Sequence, residues 1–429
     1  MIRIIQCKNP SEAPALLGRK EEAQQKVDDA VAVILADVKA RGEAAVKEYT
    51  KRFDGAEISE LELPHRKMEE AKSRIDRAFL TVLEQAAENI RLYHAQQLRP
   101  GYTLTPRPGV VMGQRVLPLE RVGVYIPGGT ARYPSSVLMN VIPAKLAGVD
   151  EVLLVTPPDP DGTIPIDILA AAAVAGADRI FLMGGAQAVG ALSYGAGPVP
   201  KVDKIVGPGN IYVATAKRMV YGLVDIDMIA GPSEVLIISD SGTNPAHIAA
   251  DLLSQAEHDA LSASILVTTD RALAERVSQE LEAQLKTLTR EKTARTSIDE
   301  NGAIFLVNSM EDALAVSNAI APEHLELCVE EPFALLPSIR HAGSVFLGRH
   351  TTEALGDYFA GPNHTLPTSG TARFSSPLGV SDFVKSSSFL YYDQKAMEDV
   401  AENVALFADR EGLDAHAKAA RSRGKKAER

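Results

Sequence analysis

The sequence predicts an α/β protein with two parallel sheets, and two observations carry that prediction. From Arg121 to about Gly231 the β-type runs RVGVYIP, EVLLVTPP, RIFLMGG and KIVGPG are each followed by a helical stretch, the alternation of strands and crossover helices in a parallel sheet. A second series follows. SEVLIISD, SILVTTD, AIFLVNS and SVFLG read as strands between NPAHIAADLLSQAEHDA, RALAERVSQELEAQLKTL, MEDALAVSNAI and PFALLPSIRHA, which read as helices. At 429 residues the chain exceeds what one compact core organises, so two or three domains are expected. The expected architecture is two Rossmann-like parallel-sheet domains without a complete dinucleotide-binding motif, plus small N-terminal and C-terminal extension segments. Residues 1–21 are read as the N-terminal extension, 22–120 with 234–380 as a first α/β domain, 121–233 as a second, and 381–429 as the C-terminal segment.

At the N-terminus, MIRIIQCKNPSEAP has no continuous apolar stretch, and the longest apolar run, ILAAAAVAGA, is about half of what spans a bilayer. Neither secretion nor membrane insertion is expected. EEAQQKVDDAVAVILADVKARGEAAVKEYTKRF and HRKMEEAKSRIDRAFLTVLEQAAENIRLYHAQQ repeat apolar residues every three or four positions and read as scaffold helices. The Gly-, Thr-, Ser- and Pro-rich stretch 349–385 has no helical period and is too long for a connector, so it is read as a functional loop region. A net charge of −11 argues against a nucleic-acid binder, because neutralising phosphates needs a basic surface. The basic tail HAKAARSRGKKAER reads as a solvated helix end. Cys7 and Cys328 are too few and too far apart for a disulfide framework, which fits a reducing cytoplasm; Cys328, in ELCV, reads as a small buried hydrophobe.

Three glycine-bearing turns, IPGGTARYPSS, MGGAQAVGAL and GPGNIYVATAK, follow successive strands of the first series. Small residues there let backbone N–H groups approach an anion at a helix N-terminus. None is GxGxxG, but three in one sheet point to a binding edge. In LLSQAEHDA, Gln255 and His258 are spaced i, i+3 and share a helix face; an imidazole and an amide oxygen so placed could help bind a zinc-like ion, but alone a polar helix face is the better reading. Asp357 and His364 lie in the frame ALGDYFAGPNHTLPTSGTARFSSPLGVSDFVK, and Glu411 and His416 lie five apart in EGLDAHAKAARSR. A turn must intervene if that last pair is to share a face. In APEHLEL, Glu323 and His324 are adjacent, a spacing that separates side chains on a helix or a strand. Pro322 either opens a helix or pushes Ala321 into extended geometry and ends the helical pattern EDALAVSNAI.

Taken together and in order, IPGGTARYPSSVLM, GGAQAVGAL, KIVGPGN, AGPSEVL, LLSQAEHD, IAPEHLEL, GDYFAGPNHTLPTSGTARFSSPLGV and EGLDAHAKAARSR resemble the histidinol dehydrogenase family over almost the whole chain. The resemblance implies an NAD-dependent and Zn²⁺-dependent oxidation of L-histidinol through L-histidinal to L-histidine, in a cytoplasmic enzyme of histidine biosynthesis. By position, Gln255, His258, Asp357 and His416 resemble the family's zinc ligands. Glu323 and His324 resemble its acid–base pair. Ser233, His364 and Glu411 resemble its substrate contacts, joined by His324 and the metal ligands themselves. Tyr125, Gln187 and Asn210 fall at the positions associated with NAD, so that 121–233 is the expected NAD-binding domain. A homodimer is also implied, with Glu411 and His416 reaching a shared site from the partner's C-terminal segment.

The chemistry suits the pair. Removing a hydroxyl proton while hydride leaves carbon calls for a neutral imidazole, His324. Oxidising the aldehyde requires water to add first, which a carboxylate activates; this assigns Glu323. Zn²⁺ has no accessible redox chemistry and is read as an anchor for the substrate. Three other readings are open on the residues. An NAD-dependent paralogue for another polyol or amino alcohol keeps the same frame. A zinc hydrolase needs no NAD, and a non-catalytic binding protein tolerates alanine at Glu323 and His324.

Overall fold

The computed structural model describes residues 1–17, 24–128 and 132–424. The expected boundary at 21/22, the centre of the IPGGTARYPSS turn and the last five residues of the tail lie outside the described residues. The described strands are β1 (Arg3–Gln6), β2 (Glu62–Leu63), β3 (Tyr102–Arg107), β4 (Val110–Pro118), β5 (Arg121–Tyr125), β6 (Glu151–Thr156), β7 (Arg179–Leu182), β8 (Lys204–Val206), β9 (Asp225–Ile226), β10 (Glu234–Ser239), β11 (Ala263–Thr268), β12 (Ala303–Leu306), β13 (His324–Cys328), β14 (Ser344–Leu347) and β15 (Val384–Tyr392). The chain divides into two compact units, Met1–Gln97 with Leu119–Phe383, and Leu98–Pro118 with Val384–Arg429.

The larger unit holds two six-stranded sheets, ordered β1-β12-β11-β10-β13-β14 and β2-β7-β6-β5-β8-β9. Every pair in the first is parallel, and in the second only β2 runs antiparallel. The α/β expectation is met twice over. In each sheet the winding reverses beside its first long strand, between β10 and β13 and between β5 and β8, which opens a crevice at that point. These strands are apolar without alternation because both faces are covered. Val235 and Ile237 pack into one core layer and Leu236 and Ile238 into the layer on the other face, as the two-residue period of a strand dictates. Each side chain buried this fully contributes about 1.5–3 kcal/mol.

Three sequence expectations are corrected. Residues 1–21 are not a mere extension, because β1 is the edge strand of the first sheet, paired in parallel with β12. The helices between 24 and 95 pack on the second sheet: Val31, Leu35 and Tyr49 join Leu153 and Phe181, while Leu83 and Ile90 join Val122 and Leu154. Grouping 22–120 with 234–380 therefore cuts across the actual packing. Finally β13, which was not among the expected strands, lies between β10 and β14 in the first sheet. Glu323, His324 and Glu326 break its apolar run, which hid the strand from a reading based on hydrophobicity.

The turn after β8 is closely built. Gly207 has φ 107° and a side-chain carbon there would lie 2.1 Å from the Tyr125 carbonyl oxygen, so only glycine fits. Asp227 accepts the Gly207 N–H at 2.8 Å and pairs with Lys217, whose ammonium also donates to the Gly207 carbonyl at 2.9 Å. Both charges are almost wholly buried. Lys217→Met leaves that carboxylate without its cation and is expected to cost about 3–5 kcal/mol, read as a lowered denaturation midpoint. A loss below about 1 kcal/mol would mean that the turn stands without the pair.

The smaller unit is an antiparallel sheet ordered β15-β4-β3 with helices Gln394–Glu398, Ala401–Arg410 and Asp414–Gly424. Ala405, Ala408, Ala417 and Ala420 form the contact between its last two helices, small enough for close approach. Arg421, from the basic tail, bridges Glu402 and Asp409 at 3.2 and 2.8 Å. Among the described residues no helix is long and apolar enough to cross a membrane.

Candidate functional site

The APEHLEL segment is neither of the alternatives expected for it. The helix Met310–Ile320 ends on Ala321 in the left-handed region, φ 54° and ψ 63°, so Pro322 opens no helix and Ala321 is not extended. Proline disfavours the right-handed helical region for the residue before it, and here the chain escapes to the left-handed one. β13 starts at once with His324, in register with Val235 of β10 and Ser344 of β14.

That register explains how adjacent residues share one site. An extended residue points its own N–H and C=O toward the same neighbouring strand. Glu234, first residue of β10, uses both on the pair: its N–H donates to Glu323 Oε2 at 2.9 Å, and its carbonyl accepts from His324 Nδ1 at 3.0 Å. A carbonyl only accepts, so Nδ1 carries a proton, and in the neutral ring Nε2 is the nitrogen left with its lone pair. Nε2 is buried without a hydrogen-bond partner, 3.7 Å from Asp357 Oδ1. Together with Phe346, Asp357, Asn363, His364 and Leu366, His324 lines a pocket.

Burial pushes the Glu323 carboxyl up to about 8, with the neighbouring His324 charge opposing. For His324 burial acts downward, but the Glu353, Glu323 and Asp357 carboxylates outweigh it and hold the imidazole well above its ordinary value. His258 and His364 are held below theirs, again by burial, with Asp357 opposing. Asp357 is itself buried, yet the imidazoles of His324, His364 and His258 bring its carboxyl below the usual range.

Around this pair, His258, Glu353 and Asp357 bring one ligating atom each to within 4.8 Å of one another. Gln255 lies in the last turn of the helix Pro245–Ala256, three residues before His258, and its buried amide oxygen has no partner; neither has the buried Glu353 Oε2. Orphaned oxygens in such a place are costly unless something binds them. An imidazole, two carboxylates and an amide oxygen form a donor set that fits a divalent ion such as zinc. Ser233 immediately precedes β10, and its carbonyl accepts from the Ala263 N–H at 3.0 Å. His364 donates from Nδ1 to the Asp357 carbonyl at 2.9 Å, and its Nε2 meets the Ser136 hydroxyl at 3.2 Å.

Glu353 and Ser136 were not singled out from sequence. A signal for Glu353 was present: Glu353 and Asp357 are spaced i, i+4, the spacing of one helix face, but the stretch 349–385 was read as having no helix. The structure corrects that reading with a helix at Glu353–Tyr358 and 3-10 turns at Thr371–Arg373 and Val380–Phe383. Glu234 was hidden for another reason, since it acts through its backbone.

Tyr125, Gln187 and Asn210 lie along the carboxyl ends of the second sheet. Tyr125 closes β5, and its hydroxyl accepts the Gly185 N–H at 3.1 Å. Gln187, in the first turn of the helix Gly185–Tyr194, is buried with neither amide atom paired. Asn210 caps the next helix, accepting from the Tyr212 and Val213 N–H groups at 3.1 and 3.2 Å. Ligands of open parallel sheets gather at carboxyl ends. In the first sheet the residues of interest instead sit at the amino ends of β10 and β13. The Ser136–His364 contact joins the two edges, because Ser136 opens the helix that follows β5. Glu411 and His416 belong to the smaller unit and are exposed there, with the turn between Arg410 and Asp414 intervening.

The family model described as histidinol dehydrogenase matches residues 17–424. The histidinol dehydrogenase of Syntrophotalea carbinolica is 54% identical over 94% of both chains, and that of Clostridium acetobutylicum 50% identical over 96% of this chain and 95% of its own. A crystal structure of the Elizabethkingia anophelis histidinol dehydrogenase superposes with a TM-score of 0.92 at 38% identity, covering 98% of each chain. With the family model spanning nearly the whole sequence and relatives this similar over their full length, the chain belongs to the histidinol dehydrogenase family.

Proposed function

We propose that the site carries out the two successive oxidations of L-histidinol, by way of L-histidinal, to L-histidine, with Glu323 and His324 as the reacting side chains. The observation that carries this reading is the grip of Glu234 on both: His324 Nδ1 is pinned as a donor at 3.0 Å while Nε2 is free of other partners beside a pocket. Nε2 takes the hydroxyl proton as the C–H bond breaks. Tyr125, Gln187 and Asn210 would hold NAD, which would supply the hydride acceptor, one molecule for each of the two steps. The aldehyde cannot yield a second hydride until water has added to its carbonyl carbon. Glu323, as carboxylate, takes a proton from that water while the water oxygen bonds to carbon and His324 returns its proton to the carbonyl oxygen; His324, neutral again, then accepts the hydroxyl proton of the hydrate as the second hydride leaves. Two hydrides leave in all, and the alcohol carbon ends as a carboxylate.

Gln255, His258 and Asp357 are the ligands proposed from this chain, with Glu353 beside them, and His416 of the partner subunit completes the set. A bound zinc ion would anchor the imidazole and amine of the substrate and, as a dication beside Asp357, relieve the negative charge that raises His324. Ser233, His364 and Glu411 of the partner subunit hold the remaining polar groups of the substrate. The support for a dimer is the family resemblance together with the exposure of Glu411 and His416.

The test is NADH absorbance across a panel of alcohols. Histidinol and histidinal are expected to produce NADH, and amino alcohols without the imidazole to fall at least about 100-fold in kcat/KM, since the groups that bind it are left unpaired. Equal turnover of a simple polyol would move the assignment to another alcohol, and hydrolysis without NADH would replace it altogether.

A further inference from the structure

Behind the proposed metal ligands lies a second buried acid cluster to which the reaction assigns nothing. Glu326 follows His324 by two residues on β13, so both side chains leave the same face of the sheet. Its side chain is completely buried. Its Oε1 accepts the backbone N–H of Glu353 at 2.7 Å, which fixes the first residue of the helix Glu353–Tyr358. Its other oxygen lies 3.8 Å from the Cys328 thiol, and Asp251 is a neighbouring carboxyl. Asp251 in turn accepts from the Thr352 hydroxyl at 2.8 Å, and it sits one helical turn before Gln255.

Three elements are therefore tied at one point. The helix Pro245–Ala256 carries Gln255 and leads to His258, the helix Glu353–Tyr358 carries Glu353 and Asp357, and β13 carries His324. Hydrophobic contact fixes distances loosely, whereas a directed hydrogen bond fixes register to a few tenths of an ångström. Thr352, the capping residue of the short helix, makes no side-chain cap bond of its own and gives its hydroxyl to Asp251 instead. We propose that Glu326, holding the Glu353 N–H, and Asp251, holding the Thr352 hydroxyl, together form a positioning brace that sets the spacing of the metal donors Gln255, His258 and Asp357. The brace touches neither substrate nor metal. It acts through Glu353 and the two helices, and it rests on the reading of these residues as a metal site.

The experiment compares wild type with Glu326→Ala, Glu326→Gln and Thr352→Val, each stripped of metal and titrated with Zn²⁺ against a chelating dye, then loaded with Co²⁺ for visible absorption. Removing a hydrogen-bonded support of metal ligands costs typically 10–100-fold in affinity. Glu326→Ala is expected to weaken Zn²⁺ binding about 10–100-fold and shift the Co²⁺ bands. Glu326→Gln keeps an acceptor for the Glu353 N–H and is expected to restore binding to within about 3-fold. Unchanged affinity and spectrum in Glu326→Ala overturn the brace, as does a Gln variant as weak as the Ala one. If Glu326→Ala does not fold, Thr352→Val decides: weaker binding at an unchanged melting temperature supports the brace, and wild-type binding overturns it. Wild-type protein that takes up neither ion overturns the metal reading itself, and the brace with it, which separates that failure from one in which only the variants bind normally.

Discussion

Glu323→Gln is expected to stall the second oxidation while largely sparing the first. The amide is nearly isosteric and can still meet the Glu234 peptide, so the fold and the seat of His324 survive, but it takes no proton from water at neutral pH. Loss of a single proton acceptor costs on the order of 10² to 10⁴ in rate. NADH formation in single turnovers from histidinol and from histidinal separates the steps. The active form of Glu323 is its carboxylate, populated above its own pKa, and burial places that near 8. The second step in the wild type should therefore quicken as pH rises through that value, and in Glu323→Gln this rise should vanish. His324→Asn removes the base common to both steps and should slow both by a similar order. Equal slowing of both steps in Glu323→Gln would refute the division of labour.

Removing the metal is expected to abolish turnover, by at least about 100-fold, with recovery on adding Zn²⁺. The reason is visible in the unpartnered Gln255 and Glu353 oxygens and in the donor atoms of His258, Glu353 and Asp357, which lie within 4.8 Å of one another. Buried oxygens left without a partner are costly unless something binds them, and a cation answers both at once. Full activity in demonstrably metal-free protein sinks the zinc assignment. The same site tests the dimer. Neither His416→Asn nor Glu323→Gln should carry out the second oxidation alone, yet mixed subunits should regain part of it, since one shared site per heterodimer receives an intact histidine and an intact glutamate. No recovery after proven subunit exchange would count against a shared site.

What could be read in advance follows from the range of the physics involved. The period of apolar residues along a few turns or strands is local, and it located eight strands and the long helices around them. The i, i+3 spacing of Gln255 and His258 is local too, as is each glycine-bearing turn. Their chemical meaning was not local: it came from the order of whole motifs, which resemble one family, since every piece taken alone was as consistent with a polar surface. β13 escaped because polar residues interrupt it, and a strand in the middle of a sheet tolerates them only when its neighbours satisfy them. Glu326, buried in that strand, accepts the Glu353 N–H and lies within reach of the Cys328 thiol.

By itself the sequence determined the α/β class, the two alternating series, the family and the list of residues worth testing. The tertiary structure alone decided that β1 completes the first sheet, that residues 24–95 serve the second, and that the site lies at the amino ends of β10 and β13. It also decided how adjacent residues come to act together. Glu323 and His324 are useful as a pair because one peptide unit, Glu234, 89 and 90 residues away in the chain, meets them both. That meeting depends on the register of two strands, which a shift of one residue would destroy. Register is set by the packing of the whole sheet, so no window of sequence around APEHLEL contains it.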